Sequence, residues 1–303
     1  MQSAKTGIDS ELQLQGNLAG LLWRQLRPKQ WTKNLLVFAA PLFSFEVLNT
    51  PLIVLSVAGY ILLCLVSSCV YILNDFVDRE ADKLHPQKKN RPMASGLLNP
   101  YLALALGGVL LVSSLAASIL INPLFTLLLA VYFTVNVMYS FHLKHVVLVD
   151  IMVIASGFVL RAIAGGLIID VPFTPWFLLC TLLLSLFLAI GKRRNELMLN
   201  EQDKTAHRRV LEQYSFPLLD QLSSIVTTAT IVSYSLFTFT SGRTVHLMWT
   251  IPLVIYGVFR YLYLIHVKMK GGAPDRELFE DKPILVTVCL YVLMVIVILA
   301  YFE

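Results

Sequence analysis

Between residues 74 and 96 the chain reads NDFVDREADKLHPQKKNRPMASG, a block of acids and then of bases within an otherwise apolar sequence. Asp75, Asp78 and Asp82 stand at i, i+3 and i+7, which puts three carboxylates on one face of a helix. Asn74, four before Asp78, borders that face, and Glu80 points away from it. Clustered carboxylates repel unless a cation or basic partners neutralise them. Magnesium suits such a set: it takes one or two protein carboxylates and completes its octahedron with water and substrate phosphate oxygens. Asp75, Asp78 and Asp82 are therefore the expected metal ligands. The competing possibility is a solvated helix end whose acids pair with Arg79, Lys83, Lys88 and Lys89. Helical register, the neighbouring amide and the position at the end of an apolar run favour the metal.

Basic clusters recur elsewhere. RPKQWTKN supplies Arg27, Lys29 and Lys33, with the two lysines four apart and so expected on one helix side. GKRRNE supplies Lys192, Arg193 and Arg194, with Glu196 four beyond Lys192, and Lys144 with His145 sits in a short polar stretch. Carboxylates that bind a metal, ringed by Lys and Arg, describe a site for a polyanion with several phosphates. Lys33, Lys192 and Arg193 are the expected phosphate holders, with Lys29, Arg91 and Lys144 beside them. Arg27, Arg194 and Arg208 are explained as well by anionic lipid headgroups. His85 has no acid partner in the sequence and reads as a loop residue. Asp150 and Arg161, eleven apart and so about three turns, either bound the same pocket or neutralise separate neighbours. Asn136 and Tyr139 are placed to line the same mouth, and Gly157, Gly165 and Gly166 read as close-packing positions between helices.

The elements that must carry these residues are membrane helices. The 303 residues are 57% hydrophobic and only 14% charged, with mean hydropathy +0.71; soluble domains carry about 25% charge. Apolar runs at 51–72, 101–121, 123–141, 147–169, 173–190, 222–241, 247–266 and 283–302 approach the roughly 20 residues that a span needs, and a shorter one at 34–48 makes nine. Of 24 Lys and Arg, all but Arg161, Arg243 and Arg260 fall in the N-terminal segment or in the loops after the second, fourth, sixth and eighth spans. By the positive-inside rule that face is cytoplasmic, in a cell (inner) membrane. The loops of the opposite face, FEVLNT, IN and DVPFT, are short. Polar groups on one face suit an enzyme with a cytoplasmic mouth better than a transporter, which needs vestibules on both sides. The first 20 residues have no apolar core, so a cleaved signal peptide is not expected. The expected organisation is a polar cytoplasmic tail over 1–23 and one transmembrane catalytic domain over 24–303. Cys64, Cys69, Cys180 and Cys289 lie in apolar runs without ligand spacing and read as buried free thiols. The bilayer is the partner the composition implies; no nucleic acid is expected, and oligomeric state is open, a homo-oligomer included.

Nine helices with NDFVDREAD after the second resemble the UbiA superfamily of intramembrane prenyltransferases. RPKQWTKNLLVFAAPL, YILNDFVDREADKLHPQKKNRPMASG, LKHVVLVDIMVIASGFVLRAIAGG and FLAIGKRRNEL are similar, in order and spacing, to its decaprenyl-phosphate phosphoribosyltransferase branch over roughly residues 24–302. Aromatic prenyltransferases of the superfamily carry a second Asp-rich motif where this chain has GKRRNE. The resemblance implies an all-α UbiA-like bundle and a magnesium-dependent enzyme. Its donor would be phosphoribosyl pyrophosphate and its acceptor a polyprenyl phosphate, with inversion at ribose C1. It also implies that Asp75, Asp78, Lys33 and Lys192 act in catalysis. Asn74, Lys29, Arg91, Tyr139, Lys144, Arg161, Arg193 and Glu196 would then contact substrate. The alternatives are a prenyltransferase joining an isoprenyl diphosphate to an aromatic acceptor and, from another class, a membrane transporter.

Overall fold

The computed structural model describes residues 17–43, 49–84, 88–172, 174–202, 209–240, 244–272 and 274–302. Among them every element is helical. In chain order they begin with α1 (Leu18–Gln25), a 3-10 helix (Pro28–Phe38), α2 (Ala39–Phe43), α3 (Thr50–Val77) and α4 (Arg79–Leu84). After a 3-10 turn come α5 (Pro100–Ile121), α6 (Pro123–Phe141), α7 (Val149–Ile169), α8 (Pro175–Gln202) and α9 (Phe216–Thr240). A 3-10 helix (Val245–Thr250) leads into α10 (Ile251–His266), and α11 (Pro274–Glu280) and α12 (Lys282–Phe302) close the chain. Eight helices among the described residues are long and apolar enough to cross a membrane, and they coincide with the eight long apolar runs. The ninth expected span is, as far as it is described, 3-10 helix running into the five-residue α2. Residues 44–48 of that span, the tail up to residue 16, His85, Arg208 and Arg243 lie outside the described residues.

The chain divides into two compact units. The first comprises the described residues up to Leu35 together with Val57–His142. Its core joins Leu21 of α1, Ile72 of α3, Met93 and Leu98 of the loop before α5, and Ala103 of α5. Part of the stretch read as a polar tail is thus helix α1, docked through Leu21. Polar bonds fasten the segment that follows it. Trp31 Nε1 donates to Ser68 Oγ at 3.0 Å, Ser68 Oγ donates to the Leu26 carbonyl at 2.8 Å, and Asn34 Nδ2 donates to Ser67 Oγ at 3.1 Å. Asn122 closes two helices at once. Its N–H donates to the Ser118 carbonyl at the end of α5, and its side-chain oxygen accepts from Leu124 and Phe125 N–H at the start of α6. Pro123 at the first helical position needs no donor partner, so the short IN loop is a complete turn.

The second unit comprises Leu36–Ser56 and the residues from Leu143 onward. Ile151 of α7, Ala189 and Ile190 of α8, and Leu219 of α9 form one core; Phe187, Val258, Tyr261 and Ile284 form another. Arg260 is not stranded in its span: it grips Asp281 at 2.9 and 3.2 Å, and Asp281 also accepts from Ile284 N–H at 3.1 Å to begin α12. All four cysteines are free, but Cys289 is exposed rather than buried, on α12 beside the exposed apolar residues Val286, Val288, Leu290 and Leu293.

Gly165 shows why α7 needs glycine. A Cβ there would stand 2.2 Å from the Val37 carbonyl oxygen, a backbone atom with no rotamer to change. Gly165→Ala should therefore cost about 1–3 kcal/mol or more through overpacking. Thermal melting of the purified full chain in detergent will show it. Gly108→Ala, at a position with nothing within 4 Å, is expected to leave melting unchanged.

Candidate active site

The acidic register survives a break in the helix. Asp78 N–H donates to the Asn74 carbonyl at 2.9 Å and Asp82 N–H to the Asp78 carbonyl at 2.8 Å, so α-type bonding passes from α3 into α4. Asp75 and Asp82 consequently share a side, and one guanidinium serves both. Arg91 Nη1 donates to Asp75 Oδ1 at 3.0 Å and also to Asp82 Oδ2. Arg27 Nη2 joins Asp75 Oδ1, and Gln25 Nε2 donates to Asp75 Oδ2 at 2.8 Å. Asp75 and Asp82 are only 2% and 3% exposed, while Asp78 is half-buried. Burial holds the Asp82 carboxyl above the usual carboxylate range, against the pull of Arg91.

Local structure delivers each partner. Arg27 has φ +54°, an uncommon left-handed conformation for a residue without glycine's freedom, immediately before Pro28. This bend turns the chain out of α1 and lays the guanidinium over the Tyr71 ring, 5.2 Å from its centroid. Arg91 is held by a turn in which its N–H donates to the Lys88 carbonyl and its carbonyl accepts from Ser95 N–H. Glu80, exposed and off the acidic face, pairs with Arg79 and Lys83. Glu80 thus shows the simple helix-end pairing, whereas Asp75 and Asp82 draw on Arg27 and Arg91.

Among the described residues no three His, Cys, Asp or Glu side chains gather into a ready-made metal cage. The donor chemistry nevertheless fits magnesium. Asp75 and Asp82 are oxygen ligands held on one side, and one or two protein carboxylates are all that this ion requires. Arg27 and Arg91 meet the demand for positive charge in the structure, so they are the groups that must shift to admit a cation.

Several expected phosphate contacts have other surroundings. Lys29 and Lys33 do not share a helix side, because Pro28–Phe38 is 3-10 helix, in which i and i+3 eclipse. Lys33 Nζ accordingly bonds Gln30 Oε1 at 2.6 Å, and Lys29 is exposed. Arg193, in the second unit, is fully buried: Nε donates to Asp150 Oδ2, and Nη1 pairs with Glu196. Asp150 also accepts from the Tyr214 hydroxyl, which in turn accepts from Leu148 N–H at 2.8 Å. Burial, with Asp150 beside it, pushes the Tyr214 phenol up and keeps it a donor. Leu148 has φ +66°, so this network holds the strained entry to α7. Arg193 and Glu196 are therefore parts of a buried ion network rather than open phosphate ligands.

Arg161 is buried and donates to the Gly157 carbonyl at 2.8 Å, whereas Asp150 pairs with Arg193. Asn136 bonds the Tyr132 carbonyl of its own helix, and Tyr139 one turn on is half-buried. Lys144 is buried and Lys192 half-buried, both in the second unit. Arg194 pairs with Asp220 at 2.6 Å. Gln25 had no place in the sequence reading, and its partner lies 50 residues away.

The eight apolar helices make this a multi-pass membrane protein, and its first unit carries the buried carboxylate–arginine cluster. The UbiA prenyltransferase family matches residues 35–280, and the chain belongs to that family. It is 39% identical over 236 residues to a decaprenyl-phosphate phosphoribosyltransferase of Mycolicibacterium smegmatis, covering 77% of this chain and 74% of that one. It is 34% identical over 290 residues to the Corynebacterium glutamicum protein of the same name, covering 92% and 87%. In fold it is similar to a UbiA homolog from Archaeoglobus fulgidus solved with GPP and Mg2+. The TM-score is 0.70 at 18% identity, over 92% of this chain and 99% of that one.

Proposed function

We propose that this protein transfers the 5-phosphoribosyl group from phosphoribosyl pyrophosphate to a polyprenyl phosphate at a cytoplasmic face of the cell membrane. The observation that carries the reading is the buried Asp75–Asp82 pair bridged by Arg91 and backed by Arg27. Two carboxylates with two mobile-length cations form a socket for a pyrophosphate together with a divalent ion. The relatives' names supply the phosphoribosyl group and the decaprenyl-phosphate class of acceptor.

Asp75 and Asp82, with Asp78 alongside, would hold magnesium. That ion would neutralise charge on the departing pyrophosphate. Arg27 and Arg91 would follow the pyrophosphate oxygens as they leave the carboxylates. An oxygen of the lipid phosphate attacks C1 from the face opposite the pyrophosphate. The C1–oxygen bond breaks as the new one forms, its electron pair leaves with pyrophosphate, and the configuration inverts through an oxocarbenium-like transition state. A phosphate monoester is already ionised, so the reaction needs no general base. Lys33 is assigned to substrate phosphates, and Asn74 and Tyr139 to polar contacts. Nine spans, a cytoplasmic N-terminus and charged loops on the same side complete the proposal.

The test follows label from phosphoribosyl pyrophosphate into organic-extractable lipid, using purified full chain, polyprenyl phosphate and magnesium. Labelled lipid is expected with the metal and none with EDTA. No labelled lipid over several acceptor lengths, from protein shown to be folded, would overturn the reading. Consumption of an isoprenyl diphosphate by the same preparation would replace it with prenyl transfer.

A further inference from the structure

The two oxygens of Asp75 are served by donors of different kinds. Oδ1 faces Arg27 and Arg91, which are 22% and 24% exposed and carry their charge on long side chains. Oδ2 faces Gln25 Nε2, and Gln25 is 1% exposed. Leu21 and Gln25 are the buried residues of α1 and lie one turn apart, so the face that docks α1 is the face that brings the amide to Asp75. The other end of that amide has no partner: Gln25 Oε1 is buried and unbonded among the described residues. An acceptor left in that condition is unfavourable by about 1–3 kcal/mol. Rotating the amide would relieve nothing, because it would set Oε1 against a carboxylate oxygen. The orientation is dictated by Asp75.

We infer that Gln25 is a positioning residue that occupies Oδ2 and leaves Asp75 a single oxygen, Oδ1, for the cation. The inference rests on the metal-dependent reading above. The arginines are exchangeable counter-charges, partly in solvent; the neutral, buried amide stays when they move. One oxygen per carboxylate is what magnesium favours, since it holds a tight octahedron at about 2.0–2.1 Å, whereas calcium accepts bidentate carboxylates at about 2.3–2.6 Å. Gln25 thus sets metal preference without touching the metal.

The test uses Gln25→Met, which keeps length and volume and removes the donor. Metal selectivity is read without turnover, by competing magnesium or calcium against Mn2+ and following free Mn2+ by electron paramagnetic resonance. The labelled-lipid assay gives KM for magnesium and kcat in parallel. Removal of a side chain that orients a metal ligand changes affinity by about 10–100-fold. Expected are a shift in selectivity toward calcium by about tenfold and a KM for magnesium raised to a similar degree, with kcat at saturating metal changed far less. Should Gln25→Met not fold, Gln25→Asn keeps the amide but draws it back by one methylene, and carries the same comparison. Folded variants with unchanged selectivity and unchanged KM, beside a wild type that binds Mn2+, would overturn the inference and leave the reaction standing. A wild type that makes labelled lipid in EDTA and binds no Mn2+ would overturn both.

Discussion

Asp75→Asn is expected to reduce phosphoribosyl transfer by about 10²–10³-fold in kcat while the protein still folds. The magnitude follows from the several kcal/mol of charge stabilisation that a metal supplies in such a transition state, with each 1.36 kcal/mol worth about tenfold. Folding should survive because asparagine keeps an oxygen for Gln25 Nε2, and Arg91 keeps Asp82. The labelled-lipid assay, run beside a melting curve, measures both halves. Glu80→Gln is the control. Glu80 is exposed and pairs with Arg79 and Lys83 of α4, so transfer should stay within about twofold, as for surface pairs in general. Equal losses in the two variants would mean that general surface charge, not Asp75, matters.

The second large effect concerns stability. Arg193 and Asp150 are both fully buried, and each leans on the other. Breaking a buried pair by removing one partner costs about 3–5 kcal/mol, because it strands a charge. Arg193→Met should therefore lower the melting temperature sharply, and so should Asp150→Leu, which also frees the Tyr214 hydroxyl. The double variant removes both charges and is expected to melt above either single one, since apolar replacement of a whole buried pair is often neutral. A double variant as unstable as the sum of the singles would show that Tyr214 and Glu196, rather than the pair itself, hold the end of α8.

The helices were legible because their signal is local. Apolar runs of membrane length and the Asn-Pro at 122–123 are read without knowing what lies opposite. The acidic register was legible for the same reason, from three aspartates within eight residues. Their partners were not. Gln25 and Arg27 reach Asp75 across about fifty positions, and Asp150 reaches Arg193 across 43, separations that no periodicity encodes. Residue type then misleads: an arginine beside Lys192 reads as a phosphate ligand until its buried carboxylate is seen. The shared helix side expected of Lys29 and Lys33 fails for another reason, since a four-residue spacing has meaning only when the winding is α, and here it is 3-10.

Asn122 bears on how the chain enters a bilayer. α5 and α6 span 22 and 19 residues with only this residue between them, and its side chain already satisfies the N–H groups that would otherwise meet hydrocarbon. A turn so small carries almost no polar surface across the membrane during biogenesis. The two helices can therefore be inserted together as one hairpin, with the backbone of the turn already hydrogen-bonded as it crosses.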